Sequence, residues 1–271
     1  MALYVDHTGS SAQSHPFPSK AIWGDCNLLG YADAGNGFLI RDNFVRNVAS
    51  SATSSGGEFY NLNDTGTVAS IAGGHHVQLA TGGTTDKSAT LYLGPNVTGG
   101  GCGIFKINYQ ASPKFWAECR IKTTSSALAS QGSYFGLVST VAATSGATIL
   151  GSATTPLATE SFVGWLSAAA SAPAWGPYTQ NLSTASALDS DYATIVLETW
   201  VKLGLKIDGT SVTYFYNGTL AYTLDITTSA LPAALDQDIF MNLMLHTKNS
   251  TGTTKLMNVD WIMCAATEAA A

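Results

Sequence analysis

Residues 200–225 read WVKLGLKIDGTSVTYFYNGTLAYTLD. Val201, Leu203, Leu205 and Ile207 alternate with Lys202, Gly204, Lys206 and Asp208. A period of two puts the apolar set on one side of an extended strand and the polar set on the other. Asp208-Gly209 is a turn pair, and Asn217-Gly218 is the strongest short hairpin signal a sequence carries. Leu220, Tyr222 and Leu224 then resume the alternation. The stretch predicts three antiparallel strands in a meander with one buried face, on which Leu205 lies.

The composition around the meander agrees with an all-β chain. Charged residues make up 11% of the 271 positions, against about 25% in ordinary globular proteins. Ser and Thr together number 59, so hydroxyls rather than charges solvate the surface. A hydrophobic content of 45% is enough for one large sandwich core. With 12 basic against 18 acidic residues the net charge is −6. No basic patch offers the phosphate neutralisation that DNA binding rests on, so nucleic acid is not an expected partner. No apolar run reaches the roughly 18 residues a membrane helix needs. The first twenty residues lack the basic and apolar regions of a signal peptide, which points to synthesis in a cytoplasm. The Asn-x-Ser/Thr matches at Asn63, Asn96, Asn181, Asn217 and Asn249 then read as products of a Thr-rich sequence.

Residues 1–35 have no strand periodicity. Pro16 and Pro18 flank Phe17 and favour an extended backbone that cannot complete a sheet ladder. This segment is expected to be an arm, with residues 36–271 as a single domain. Tyr4, Phe17 and Trp23 would be costly to leave in water, so the arm is expected to bind a neighbouring subunit or another protein, the alternative being that it folds back on its own domain. Strands are expected near 38–45, 76–80, 89–93, 104–107, 115–122, 133–139, 162–166, 239–246 and 256–264, with 104–107 and 115–122 as a pair. Residues 167–190, rich in Ala, Ser and Pro with Trp175 and Tyr178 embedded, read as a long loop of the kind that forms interfaces.

Catalytic signatures are missing. There is no G-x-S-x-G, H-E-x-x-H or G-x-x-x-x-G-K-[ST]. The cysteines, Cys26, Cys102, Cys119 and Cys264, include no CxxC pair and are expected to be thiols. Cys119 shares a strand face with Phe115, Ala117 and Ile121 and reads as a small buried hydrophobe. His75 and His76 point to opposite sides of a strand and cannot share a metal as neighbours. Asp189/Asp191 and Asp236/Asp238 could hold calcium with loop carbonyls, but capping of loop backbone is the simpler reading. No cofactor is expected. Glu118 shares a face with Trp116, Arg120 and Lys122, which reads as a solvated surface with an ion pair.

Three segments resemble the concanavalin A-like jelly rolls of laminin G domains, legume lectins and family-16 glucanases. They are FWAECRIKTTSS with GSYFGLVS, the 200–225 meander, and the terminal LMNVDWIMC. The resemblance implies a two-sheet antiparallel jelly-roll sandwich, and with it a lectin, a glycosidase or a structural protein. A retaining glycosidase of that family carries E-x-D-x-x-E on one strand, its carboxylates about 5–5.5 Å apart. None of the five glutamates here, Glu58, Glu118, Glu160, Glu198 and Glu268, begins such a motif. No hydrolase activity is expected. A lectin would need an aromatic platform, for which Trp165, Trp175 and Tyr178 are candidates.

A charge-poor, Ser/Thr/Ala/Gly-rich jelly roll without catalytic carboxylates also resembles bacteriophage virion proteins, including capsid decoration (cement) proteins and fibre modules. That resemblance implies a homo-oligomeric structural protein of the virion, made in the host cytoplasm. Its partner would be the major capsid protein or another virion protein, and its contacts would fall at Tyr4, Phe17, Trp23, Trp175 and Tyr178. The alternative is a carbohydrate-binding, lectin-like module of a phage fibre or a secreted enzyme.

Overall fold

The computed structural model describes residues 17–26, 37–42, 59–61, 66–70, 76–93, 105–106, 114–124, 128–139, 150–152, 155–156, 161–168, 173–181, 184–187, 191–209, 211–225 and 240–267. Among them the helical content is one turn of α-helix, α1 (Lys20–Trp23), and one 3-10 turn at Leu128–Ser130. The first strands are β1 (Gly37–Asp42), β2 (Phe59–Asn61), β3 (Thr67–Ser70), β4 (Val77–Ala80), β5 (Ser88–Leu93), β6 (Phe105–Lys106), β7 (Phe115–Thr123), β8 (Gln131–Ser139), β9 (Leu150–Ser152) and β10 (Thr155–Pro156). They are followed by β11 (Phe162–Ser167), β12 (Ala174–Asn181), β13 (Thr184–Ala187), β14 (Ala193–Thr194), β15 (Trp200–Ile207), β16 (Ser211–Tyr216), β17 (Thr219–Asp225), β18 (Phe240–Asn249) and β19 (Leu256–Thr267).

The meander forms as its turn chemistry dictates. Asp208 Oδ1 accepts from both the amide and the hydroxyl of Ser211 at 3.0 Å, and Gly209 takes φ 86°. Asn217 at φ 52° and Gly218 at φ 77° supply the two left-handed residues that a tight primed hairpin turn requires. Asn217 also ties this turn to β15. Its amide donates to the Lys202 carbonyl at 2.8 Å, and its Oδ1 accepts the Lys202 N–H at 2.9 Å.

Two antiparallel sheets result. Sheet A runs β17-β16-β15-β7-β19-β4-β3, with β1 also paired to β19. Sheet B runs β13-β12-β11-β8-β18-β5-β2, with β14 on β12 and β6 on β18. Strands β9 and β10 form a separate two-stranded piece. The expected pairing of 104–107 with 115–122 does not occur, because β6 belongs to sheet B and β7 to sheet A.

The core lies between the sheets. Sheet A contributes Phe115, Ala117, Cys119 and Ile121 from β7 and Leu203, Leu205 and Ile207 from β15; sheet B contributes Phe135, Leu137, Val163, Trp165, Leu243 and Leu245. At roughly 1.5–3 kcal/mol for each large side chain, this burial is the main favourable contribution to the fold. The Trp165 indole N–H crosses the core and donates to the Gly204 carbonyl at 2.9 Å, so its one polar atom is satisfied.

The long loop expected at 167–190 is instead largely sheet. Strand β12 pairs with β11 on one side and β13 on the other. Period two then sends Trp175 into the core and Tyr178 to the opposite face. Ala, Ser and Pro are poor strand formers, and here the pairing partners override local propensity.

Candidate functional site

The outward residues of sheet A are those that alternation assigns: Trp116, Glu118, Arg120 and Lys122 on β7, and Trp200, Lys202, Gly204 and Lys206 on β15. The expected solvated face does not exist over half of this area. Residues 17–26 lie across it as a clip. The Ser19 amide donates to Glu118 Oε2 at 2.8 Å, the Ser19 hydroxyl to Oε1 at 2.5 Å, and the Trp23 indole N–H to Oε2 at 2.9 Å. Ile22 fills the space left by the missing side chain of Gly204, where a Cβ would stand 2.2 Å from Ile22 Cδ1. Ile22, Trp23 and Cys26 join Trp116, Phe215, Trp261, Met263 and Ala265 in a second apolar cluster on the outside of the sheet.

The charges under the clip are paired. Glu118 is fully buried, and desolvation raises its pKa even though Ser19, Lys202 and Trp23 favour the ionised form. Burial lowers the pKa of Lys202 against the attraction of Glu118, and its ammonium donates to the Phe17 carbonyl at 3.3 Å. Asp25 accepts from Lys206 at 2.5 Å and from the Trp116 indole at 3.1 Å. Burial pushes the Asp25 carboxyl up, and these two partners together outweigh it and hold the pKa below its ordinary value.

The other half of the face carries a different set. Trp200 faces Lys122 directly in the β7–β15 ladder, and Arg120 faces Lys202. The Arg120 guanidinium lies 4.7 Å from the Trp200 ring centroid and the Lys122 ammonium 5.2 Å, both at cation–π range. His76 approaches the same indole edge-on at 5.9 Å. Arg120 pairs with Asp260, and Lys122 with the exposed Glu198 at 2.9 Å. Gln78 donates to Asn258 at 2.9 Å on the neighbouring strand pair. Trp200, His76 and Gln78 are half-buried. The result is a half-exposed indole ringed by planar and cationic side chains.

Two donors at the boundary of this half have no acceptor. Arg120 Nε and Trp261 Nε1 are buried and unpartnered. Arg120 and Trp261 oppose each other across β7 and β19, next to the bulge that projects Asp260. Such cross-strand neighbours hold their Cβ atoms about 5 Å apart.

The interface residues expected from the sequence are scattered. Tyr4 lies outside the described residues. Phe17 is 45% exposed beside Lys202, at the margin of the uncapped half-face. Trp23 is buried beneath the clip and bonded to Glu118, so the alternative that the arm folds back is correct for residues 17–26. Trp175 is core. Tyr178 is buried in a cluster with Tyr134, Phe162 and Met244 on the outside of sheet B, its hydroxyl donating to Gln180 at 2.8 Å. Neither residue is an exposed contact, and none of Trp165, Trp175 and Tyr178 is an open aromatic platform.

Trp200 was not among the residues expected at a site; its even position at the head of the meander places it on the outward face with Lys202, but its register with Lys122 comes only from the pairing of β15 with β7. Cys26, Cys119 and Cys264 are buried thiols, while Cys102, His75, Asp189, Asp236 and Asp238 lie outside the described residues. Among the described residues no three His, Cys, Asp or Glu side chains are grouped to hold a metal ion, and no helix is long and apolar enough to cross a membrane.

No family model matches the chain, and no curated protein matches it in sequence. Solved structures do match in fold. Peanut lectin superposes with a TM-score of 0.56 at 13% identity, over 85% of this chain and 97% of the lectin. The endo-1,3-beta-glucanase of Streptomyces sioyaensis gives 0.52 at 12% identity, over 88% and 99%. The chain is a concanavalin A-like, all-β jelly roll.

Proposed function

We propose that the chain is a non-enzymatic carbohydrate-binding module that holds a saccharide on the uncapped half of sheet A, against Trp200. The observation that carries this reading is the half-exposed Trp200 indole with Arg120, Lys122 and His76 around it. A sugar ring offers an apolar C–H face and a rim of hydroxyls; an indole beside planar hydrogen-bonding groups complements both. Two proteins of this fold, a lectin and a glucanase by name, lend support at the level of the scaffold.

Among the described residues of this face the carboxylates are engaged, Asp260 with Arg120. Both Glu118 oxygens are held by Ser19 and Trp23 under the clip, out of reach of a substrate. Glu198 is 60% exposed and paired with Lys122. Glycoside hydrolysis needs two accessible carboxylates flanking the bond. The resemblance in composition to phage proteins supports a place on a virion. Of the two virion roles, this face favours glycan capture by a fibre module over decoration of a capsid shell, since Trp23, Trp175 and Tyr178 are all buried.

A glycan array probed with the purified chain and with Trp200→Ala tests the reading. Binding of a defined saccharide by the parent, reduced about tenfold or more in a Trp200→Ala protein of unchanged melting temperature, is expected. An array on which the parent retains no saccharide, or on which both proteins bind alike, overturns it.

A further inference from the structure

We infer that the saccharide taken at this site is acidic, its carboxylate or sulfate group accepting from Arg120 Nε and Trp261 Nε1. The inference rests on the carbohydrate reading above and specifies its ligand. Trp261 is 2% exposed, and its indole N–H has no acceptor. The Arg120 side chain is 11% exposed; Asp260 engages one arm of its guanidinium, while Nε is left without a partner. A buried donor with no acceptor costs free energy that a ligand oxygen recovers.

The surroundings select for negative charge in that oxygen. Lys122 stands two residues along β7 from Arg120, and its tie to the exposed Glu198 is of the weak surface kind that a ligand displaces. Arg41 lies on the same outer face through its register with Met263, which itself faces Glu118. Lys202 and Lys206 are engaged with Glu118 and Asp25 under the clip, so the cations of the uncapped half are Arg120 and Lys122, with Asp260 and Glu198 as their partners. Charge-assisted hydrogen bonds to a carboxylate or sulfate are about twice as strong as those to a neutral hydroxyl. The ring of the same sugar would rest on Trp200.

Native affinity electrophoresis tests this, with the full chain run through gels containing polygalacturonate, dextran sulfate or unmodified dextran. Retardation by one or both acidic polymers and not by dextran is expected, weakening as salt is raised. The carboxylate and sulfate arms identify which acid is held. Arg120→Lys keeps the charge and removes Nε; Trp261→Phe removes the second donor; Lys122→Gln, at a more exposed position, removes the second cation beside Trp200. Each should weaken the acidic interaction, with Arg120→Lys costing roughly tenfold. Retardation by dextran as strong as by dextran sulfate overturns the inference and leaves the carbohydrate reading standing. Acidic retardation indifferent to all three substitutions overturns the assignment to these donors. Retardation by none of the polymers overturns the inference, and an empty glycan array beside it removes the carbohydrate reading as well.

Discussion

Ser19 and Glu118, 99 positions apart, meet in a two-point contact: the Ser19 amide donates to one carboxylate oxygen at 2.8 Å and its hydroxyl to the other at 2.5 Å. With the Trp23 indole added, one buried glutamate anchors the whole clip. Glu118→Gln keeps an acceptor for the Ser19 amide and Trp23 and presents an NH2 that can donate to the Ser19 hydroxyl. It removes the charge opposite Lys202 but keeps the hydrogen bonds, so it should cost clearly less than loss of the whole side chain. Glu118→Ala strands three donors beside an uncompensated Lys202 and should cost about 3–5 kcal/mol. Chemical denaturation of the two variants checks the contrast; equal losses would mean that the contact does not anchor the clip.

Gly204 makes room for the clip by lacking a side chain. Gly204→Ala would place a methyl 2.2 Å from Ile22 Cδ1. Overpacking of this kind costs about 1–3 kcal/mol, and here it falls on the clip rather than on the core between the sheets. Faster hydrogen exchange at residues 19–26, with β7 and β8 still protected, is the expected signature.

Leu205 tests the sandwich itself. It is fully buried between the sheets. Leu205→Asp places an unpaired charge there and should unfold the protein or cost more than about 4 kcal/mol. Circular dichroism and a thermal melt decide; a parental melt would mean that the face assignment is wrong.

Acid should destabilise the protein through His246. Its imidazole is fully buried on the outside of sheet B, with Thr90 Oγ1 at 2.8 Å from Nδ1 and no partner for Nε2. Burial, helped by the nearby Lys248 ammonium, lowers its pKa to about 3. The unfolded chain takes up that proton near 6.5, so the stability held above this value is lost as pH falls from 6.5 toward 3, by about 1.4 kcal/mol per unit. Glu118 acts in the opposite sense. Its folded pKa lies above the unfolded 4.5, so its ionisation costs stability at neutral pH, and that cost disappears as pH drops through the raised value. His246→Asn, which retains a group able to bond Thr90, should flatten the acid slope of the melting temperature, and Glu118→Gln should steepen it.

Much of the fold was legible because each signal had local chemistry behind it. The Asn217-Gly218 pair demanded left-handed backbone and has it. The alternation of β7 and β15 placed Cys119 and Leu205 inward and Glu118 and Lys202 outward. Strand β12 was not legible, since its composition is that of a loop and only pairing with β11 and β13 makes it a strand. The site was half legible. Trp23 is too apolar to leave in water, but its partner Glu118 lies 95 positions away, and no local pattern reports such a pairing. Trp261 and Arg120 meet through a bulged ladder that sequence spacing does not encode.

The most direct measurement uses the six tryptophans as reporters. Indole N–H resonances are followed by NMR while an acidic oligosaccharide, oligogalacturonate or a sulfated dextran fragment, is titrated into the labelled protein. The Trp261 signal should shift, and its solvent exchange slow, as its N–H gains an acceptor. The Trp200 signal should move with it. Trp165, already donating to Gly204, and Trp175 in the core should stay still. A ligand that moves neither Trp200 nor Trp261, while perturbing sheet B or leaving all six unchanged, would contradict a saccharide site on the outer face of sheet A.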